Sequence, residues 1–455
     1  MSRDTPNVLL VILDSARARN TSLHGYHRRT TPFLDEFAAS ATKYTQARSA
    51  AGWSLPSHAS IFTGSLPQEH GVNGLDTKLN HGASIFEWLA NEGYATGLFT
   101  DNPYLTDLDT GLSNGFDVVV NDKDLFQDGI SPAAFTEEEN TDRVAFLRAA
   151  LNSDAPLKSV LNGAAWMLKW HSPWFAEGTV FTRGFTYAEH FEEWREGIDD
   201  PWAACLNLMD THIPFRPAEE YDQWATDDTR AARKSTNEDD VKEGEEWKHA
   251  LRQNRYDGTI QQADAVVERI VDGLRSAGEL DDTLVVVTAD HGEGFGESDP
   301  ITDAPVTGHN DGTTEPLLHV PLIVQAPGQH DNRVVDDPVG LVDFPKVVRE
   351  TVAGDDPSFE TGRMVFAGGL NDGAIVDVAY DRNESAGVSK YVRIDDDVWT
   401  VHAATPFVNY LVKEGAPADV VERMASLSEA DVTAESEGAV TEIARQQLEA
   451  LGYKE

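Results

Sequence analysis

The run "NVLLVIL" at residues 7–13, closed by Asp14, is the feature that most restricts the fold. Successive aliphatic side chains leave no polar face for solvent, so a strand with this text is covered on both sides, as at the centre of a parallel sheet packed between helices. A carboxylate at its end falls on the edge where open α/β sheets gather their ligands. The run is too short to cross a membrane and carries no cleavage pattern.

Strand and helix signals alternate after it. "TTPFLDEFAASATKY" (30–44) reads as helical, "SIFEWLANEGY" (84–94) as an amphipathic helix and "ATGLFT" (95–100) as the next strand. "YDGTIQQADAVVERIVDGLRSAGEL" repeats its apolar positions at three and four, which predicts a long helix, and "TLVVVTAD" (283–290) follows as a strand. The order reads βαβ throughout and predicts an α/β fold: a large mixed, mostly parallel sheet sandwiched by helices. Residues 121–200 read as a helical insert with an aromatic cluster (Trp166, Trp170, Trp174, Phe175), and residues 216–250 as an exposed polar loop. From residue 363 the text turns to short alternating strands, read as a small antiparallel sheet closed by the helix "AVTEIARQQLEALGY". The expected division is a catalytic α/β domain over 1–362 and a small α+β subdomain over 363–455.

Acidic residues outnumber Lys plus Arg by 78 to 36, a formal net charge of -42 spread along the 455 residues. Such a surface repels the phosphates of nucleic acids and anionic membranes, which excludes them as partners. It suits a very salty cytosol, where screening removes the self-repulsion, so a halophilic, cytoplasmic protein is expected. Calcium-dependent adhesion, the other use of dense carboxylates, lacks its repeated Asp/Gly loops. Cys205 is the single cysteine, which rules out an intramolecular disulfide and zinc-finger chemistry.

Asp14 and the pair Asp290 and His291 of "ADHGEGFGE" close two predicted strands. Together they supply the oxygen and nitrogen ligands that a divalent cation takes. Ser54, in "AGWSLPSHASIFTGSLPQEHGV" (51–72), adds a hydroxyl just ahead of a predicted helix over 57–64, whose N-terminus favours an anion. An aspartate at a strand end serves as often as a helix cap, so the weight lies in the combination.

The ordered motifs resemble the sulfatase family within the alkaline phosphatase superfamily. The similarity is carried by "SLPSH" and the run to Thr63 and Gly64, by "TTPFLDEFA", "HGV" (70–72), "MDTHIPF" (209–215), "DDTLVVVTADHGEGFGE" (281–297) and "GHNDGTTEPLLHVPLIVQAPG" (308–328). The resemblance implies metal ligation by Asp14, Asp290 and His291, and a nucleophile or formylglycine precursor at Ser54 that also touches the metal. It implies an ester-contacting His212, and a His309 near the position of a Lys or His that contacts the sulfate and the leaving oxygen. Three departures stand out. Ser15 replaces the second of two adjacent aspartates, His58 replaces the arginine after Pro-Ser, and "FTDNPYL" leaves Asn102 where a cation binds the sulfate; Arg17 is a candidate to restore that charge.

The expected activity is metal-dependent hydrolysis of sulfate esters of a small molecule or carbohydrate. One divalent ion is implied, calcium or magnesium, or manganese or zinc for a phosphoesterase. Because the arginine of the oxidation signal is replaced, Ser54 is expected to act unmodified. Phosphomonoesterase, phosphodiesterase or phosphotransferase chemistry is the alternative; in its two-metal form Asp210, His212 and His309 hold a second ion. A catalytically inactive binding protein is the remaining reading. The leaving group and the oligomeric state are left open.

Overall fold

In the computed structural model, the opening run forms strand β1 (Asn7–Leu13), and all seven of its residues are buried. The structure describes residues 5–121, 136–137, 140–141, 143–153, 155–171, 183–225, 247–309, 312–359, 364–371, 374–383, 387–394, 397–405, 409–427 and 432–435. The main sheet also contains β2 (Thr42–Tyr44), β3 (Ala95–Phe99), β4 (Val118–Val120), β5 (Trp202–Leu208), β6 (Thr283–Thr288), β7 (Leu322–Gln325) and β8 (Arg333–Val335). Its order is β8-β2-β7-β6-β1-β5-β3-β4. Neighbours from β6 to β4 run parallel, whereas β7 pairs antiparallel with both β6 and β2.

Register positions the site. Val8 to Leu13 stand opposite Ala203 to Leu208, and Asn7 to Ile12 opposite Thr283 to Thr288. The segments after β1, β5 and β6 therefore leave the sheet at one edge, and the segment after β3 joins them there. Full burial of each large aliphatic side chain contributes roughly 1.5–3 kcal/mol, which makes a one-residue slip of β1 prohibitive.

Helices flank this sheet. Tyr187, Ala188 and Phe191 of Arg183–Glu196 enter the core beside Val266, Val267 and Ile270 of the long helix Trp247–Ala277, and Phe191 meets Trp202 edge to face at 5.4 Å. Phe62 of Ser54–Thr63 packs on Phe86 of Ile85–Asn91 at 5.1 Å. Ser84 caps the latter helix through a reciprocal pair with Glu87.

Beyond residue 363 lies an antiparallel sheet of five strands in sequence order, β9 (Met364–Asn371), β10 (Ala374–Asn383), β11 (Gly387–Ile394), β12 (Asp397–Thr405) and β13 (Asn409–Glu414). Leu318 packs with Val378, Tyr380, Val392 and Val401 of this sheet, and Glu315 accepts from Tyr380 and pairs with Arg48 at 2.9 Å.

Several sequence expectations change. In "TTPFLDEFAASATKY" only Pro32–Phe37 is α-helical and a 3-10 turn follows at Ala38–Ser40; Thr42–Tyr44 then alternates buried and half-buried as β2. The βαβ order is broken at β7 and β2. Helix Arg183–Glu196, placed in the insert, belongs to the packing around the main sheet. Trp247 opens the long helix rather than ending a loop, while residues 226–246 lie outside the described residues. So do Trp174, Phe175, the side chains of Trp166 and Trp170, and the expected terminal helix. Among the described residues no helix is long and apolar enough to cross a membrane.

Candidate active site and metal centre

Asp14 follows β1 directly and is fully buried. Its Oδ2 accepts from Asn102 Nδ2 (3.0 Å) and Asn207 Nδ2 (2.9 Å), and its Oδ1 accepts from Ser15 Oγ (3.1 Å). Burial alone would raise its pKa, but His212, His291, the Asn207 hydrogen bond and His58 outweigh this and hold the carboxyl at about 2. Ser15, at the expected second aspartate, has φ 64° and turns its N–H onto Asp290 Oδ1 (3.1 Å). It thus links the two carboxylates instead of adding a third.

Asp290 Oδ1 also accepts from His291 N (2.9 Å). Asp290 Oδ2 is buried without a hydrogen bond, with His291 Nε2 at 3.4 Å and His58 Nδ1 at 3.6 Å. His291 donates from Nδ1 to Gly292 O (2.8 Å), which leaves the Nε2 lone pair facing Asp290 and Asp14. Ligand atoms of Asp14, Asp290 and His291 lie within 4.8 Å of one another, the sole such group among the described residues. Two buried carboxylates converging on one imidazole, with an unbonded carboxylate oxygen between them, fit a divalent cation and cost free energy without one.

Ser54 begins its helix at Ser54–Thr63, three residues earlier than expected. Its Oγ is 3.2 Å from His291 Nε2, so the hydroxyl stands in the first turn beside the acidic pair. Ser57 Oγ donates to Asp290 O (2.6 Å) and ties the helix to the end of β6. His58 Nδ1 donates to Ser54 O (2.8 Å) and its Nε2 meets Asn207 Oδ1 (3.2 Å), which places this ring beneath Ser54.

His212 and His309 complete the cluster from loops. His212 donates from Nδ1 to Ile213 O (2.8 Å), and its ring lies 4.6 Å from that of His309, which in turn lies 4.7 Å from that of His291. Burial, then His212 and His291, push the His309 pKa well below its ordinary value, so the ring is neutral. Asp210, proposed above for a second ion, accepts from Gln262 Nε2 (2.6 Å) and joins no three-ligand group among the described residues.

Two expected substrate contacts have other partners here. Asn102 bonds Asp14 and, through Oδ1, caps its own short helix at Tyr104 N. Arg17 is buried, not a surface arginine: its guanidinium bonds Asn20 Oδ1 (2.5 Å), Glu293 O (2.9 Å) and Glu297 Oε1 (2.6 Å). Sequence reasoning missed Asn207, Tyr256 and Glu293. Asn207 was signalled as the one polar residue in the apolar strand "WAACLNL". Tyr256, whose hydroxyl donates to Ser15 O (2.6 Å), had no signal in the helix text.

A sulfatase family model matches residues 6–350. Arylsulfatase K of Bos taurus is 26% identical over 367 residues, covering 75% of this chain and 61% of that protein. The chain spans under two thirds of the length of the curated relatives it matches. The crystal structure of the phosphonate monoester hydrolase of Agrobacterium radiobacter aligns with a TM-score of 0.58 at 18% identity, covering 98% of this chain and 95% of that one. A protein solved in complex with its substrate D-glucosamine-2-N,6-O-disulfate aligns with a TM-score of 0.57 at 13% identity, covering 98% of each chain. The likeness to both structures concerns the fold, and the family match covers most of the residues just described: the chain belongs to the sulfatase family.

Proposed function

We propose that the chain hydrolyses a sulfate ester of a small molecule or carbohydrate with unmodified Ser54 as nucleophile. The observation that carries this reading is the Ser54 hydroxyl, in the first turn of its helix and 3.2 Å from His291 within the buried Asp14–Asp290–His291 group. A divalent cation held by those three residues, calcium or magnesium by the oxygen-rich donor set, would favour the serine alkoxide and neutralise the ester oxygens.

Asn102 and Asn207 keep the Asp14 carboxylate oriented, Ser15 N–H and Ser57 do the same for Asp290, and His58 fixes the turn that presents Ser54. Attack by Ser54 Oγ, its proton released to solvent, forms the bond to sulfur as the bond to the leaving oxygen breaks, and that oxygen takes a proton from the histidine wall. Water then displaces serine from sulfur and releases sulfate. The acidic surface supports action in concentrated salt.

A phosphonate or phosphate ester would use the same residues, and phosphonate is the substrate class in the name of the Agrobacterium protein. Wild type and Ser54→Ala are to be compared on nitrophenyl sulfate, phosphate and phosphonate in molar salt with added divalent ions. Sulfate is expected to turn over fastest, and Ser54→Ala to lose at least about 10³-fold in kcat. Equal turnover by both proteins would refute the reading. Mass spectrometry of residues 49–66 is expected to find serine; a peptide lighter by two hydrogens refutes the unmodified nucleophile.

A further inference from the structure

Glu293 follows Asp290 by three residues, and its side chain is fully buried. Its Oε2 lies 2.7 Å from His309 Nδ1. Its other oxygen, Oε1, is buried without a hydrogen bond, and the nearest guanidinium, Arg252, stands off at 3.9 Å. A carboxyl compensated this sparsely is expensive to keep, and a methionine or glutamine would fill the same volume. Gly308, just before His309, has φ +72°, a left-handed turn that sets the following imidazole against this carboxyl.

We propose that Glu293 is the positioning residue for His309: its Oε2 accepts the Nδ1 proton, fixes the tautomer and holds the Nε2 edge of the ring toward the reacting ester. Arg252 anchors the far side of the carboxyl. The assignment rests on the reading of His309 as the acid for the leaving oxygen, and gives that histidine the orienting partner that general acids and bases require.

The test is a double-mutant cycle between Glu293→Leu and His309→Ala, run on an alkyl sulfate and on nitrophenyl sulfate. Glu293→Leu is expected to lower kcat about 10- to 100-fold on the alkyl ester and far less on the nitrophenyl ester, whose leaving oxygen needs no proton. In the His309→Ala background it is expected to add under about 2-fold. Glu293→Gln, which keeps an acceptor oxygen, is expected to fall between wild type and Glu293→Leu, with divalent-ion content unchanged in all variants. An equal loss in both backgrounds, or loss of bound ion, overturns the proposal.

A measurement independent of turnover separates this from failure of the functional reading. In protein labelled with ¹⁵N-histidine, the Nδ1–H tautomer signal of His309 is expected to persist in Glu293→Gln and to be lost in Glu293→Leu. Its persistence in Glu293→Leu overturns the proposal even if no sulfate ester is a substrate.

Discussion

One side of the site is assembled from strand ends and a helix start, the other from loops. Asp14 and Asp290 leave the sheet from β1 and β6, whose register is held by ladder hydrogen bonds and buried aliphatic faces, and Ser54 enters from the first turn of a helix tied to Asp290 by Ser57. His212, His309 and Glu293 stand on turns and owe their places to one another. On the proposed reading, ion holding falls to the strand-end side, where ångström precision decides affinity, and handling of the leaving group to the side whose members can adjust to an ester.

The largest expected effect breaks or upholds this contrast. Asp290→Ala is expected to lose the bound divalent ion on dialysis, with at least about 10³-fold in kcat, while His212→Ala keeps the ion and loses turnover alone. Metal analysis beside steady-state kinetics checks both; equal ion loss would erase the distinction. A smaller effect is expected from Asn102→Ala. It removes one of two amides on Asp14 Oδ2 and should weaken ion affinity by roughly 10- to 100-fold, read by calorimetric titration.

The smallest effect sharpens the comparison by asking what steadies the strand-end side. His70 is fully buried against the helix that begins at Ser54; its Nδ1 accepts from Val72 N (2.9 Å), and its Nε2 meets Ser60 Oγ (3.0 Å) and Pro56 O (3.2 Å). Burial, opposed by the Pro56 carbonyl, lowers its pKa to about 4 from 6.5. The unfolded chain therefore binds more protons between these values, so this contribution is complete above pH 6.5 and is lost as pH falls toward 4. It amounts to about 3 kcal/mol at most. Thermal melts from pH 7 to 4 are expected to fall more steeply in wild type than in His70→Gln; parallel curves would remove His70 from the account.

Legibility followed the same division. β1, β3 and β6 are dense enough in apolar text to be read alone, so Asp14 and the Asp290–His291 pair were found, and the short helix after Trp53 placed Ser54 within three residues of its true start; β5 went unread. Thr42–Tyr44 was misread because three residues give too little periodicity to separate a strand from the end of a helix. The partners of Arg17 and Asn102 were beyond reach, since hydrogen bonds to Glu297 and Asp14 join residues 280 and 88 positions apart. Glu293 stood in plain sight within "ADHGEGFGE", but nothing in the text said that a loop beginning at Gly308 would set His309 on it.

By itself, then, the sequence determined the alternating apolar segments, the mostly parallel sheet they build, the strongly acidic surface and the chemical types of the residues proposed to hold an ion, because each follows from local composition and from burial that every residue of a central strand must share. Only the tertiary structure decided which polar groups meet: Ser15 bridging the two carboxylates, Asn207 shared by Asp14 and His58, Arg17 committed to Glu297, and Glu293 against His309. Hydrogen bonds depend on tenths of an ångström between segments far apart in the chain, and that distance exists only once the strands have paired and the helices have closed over them.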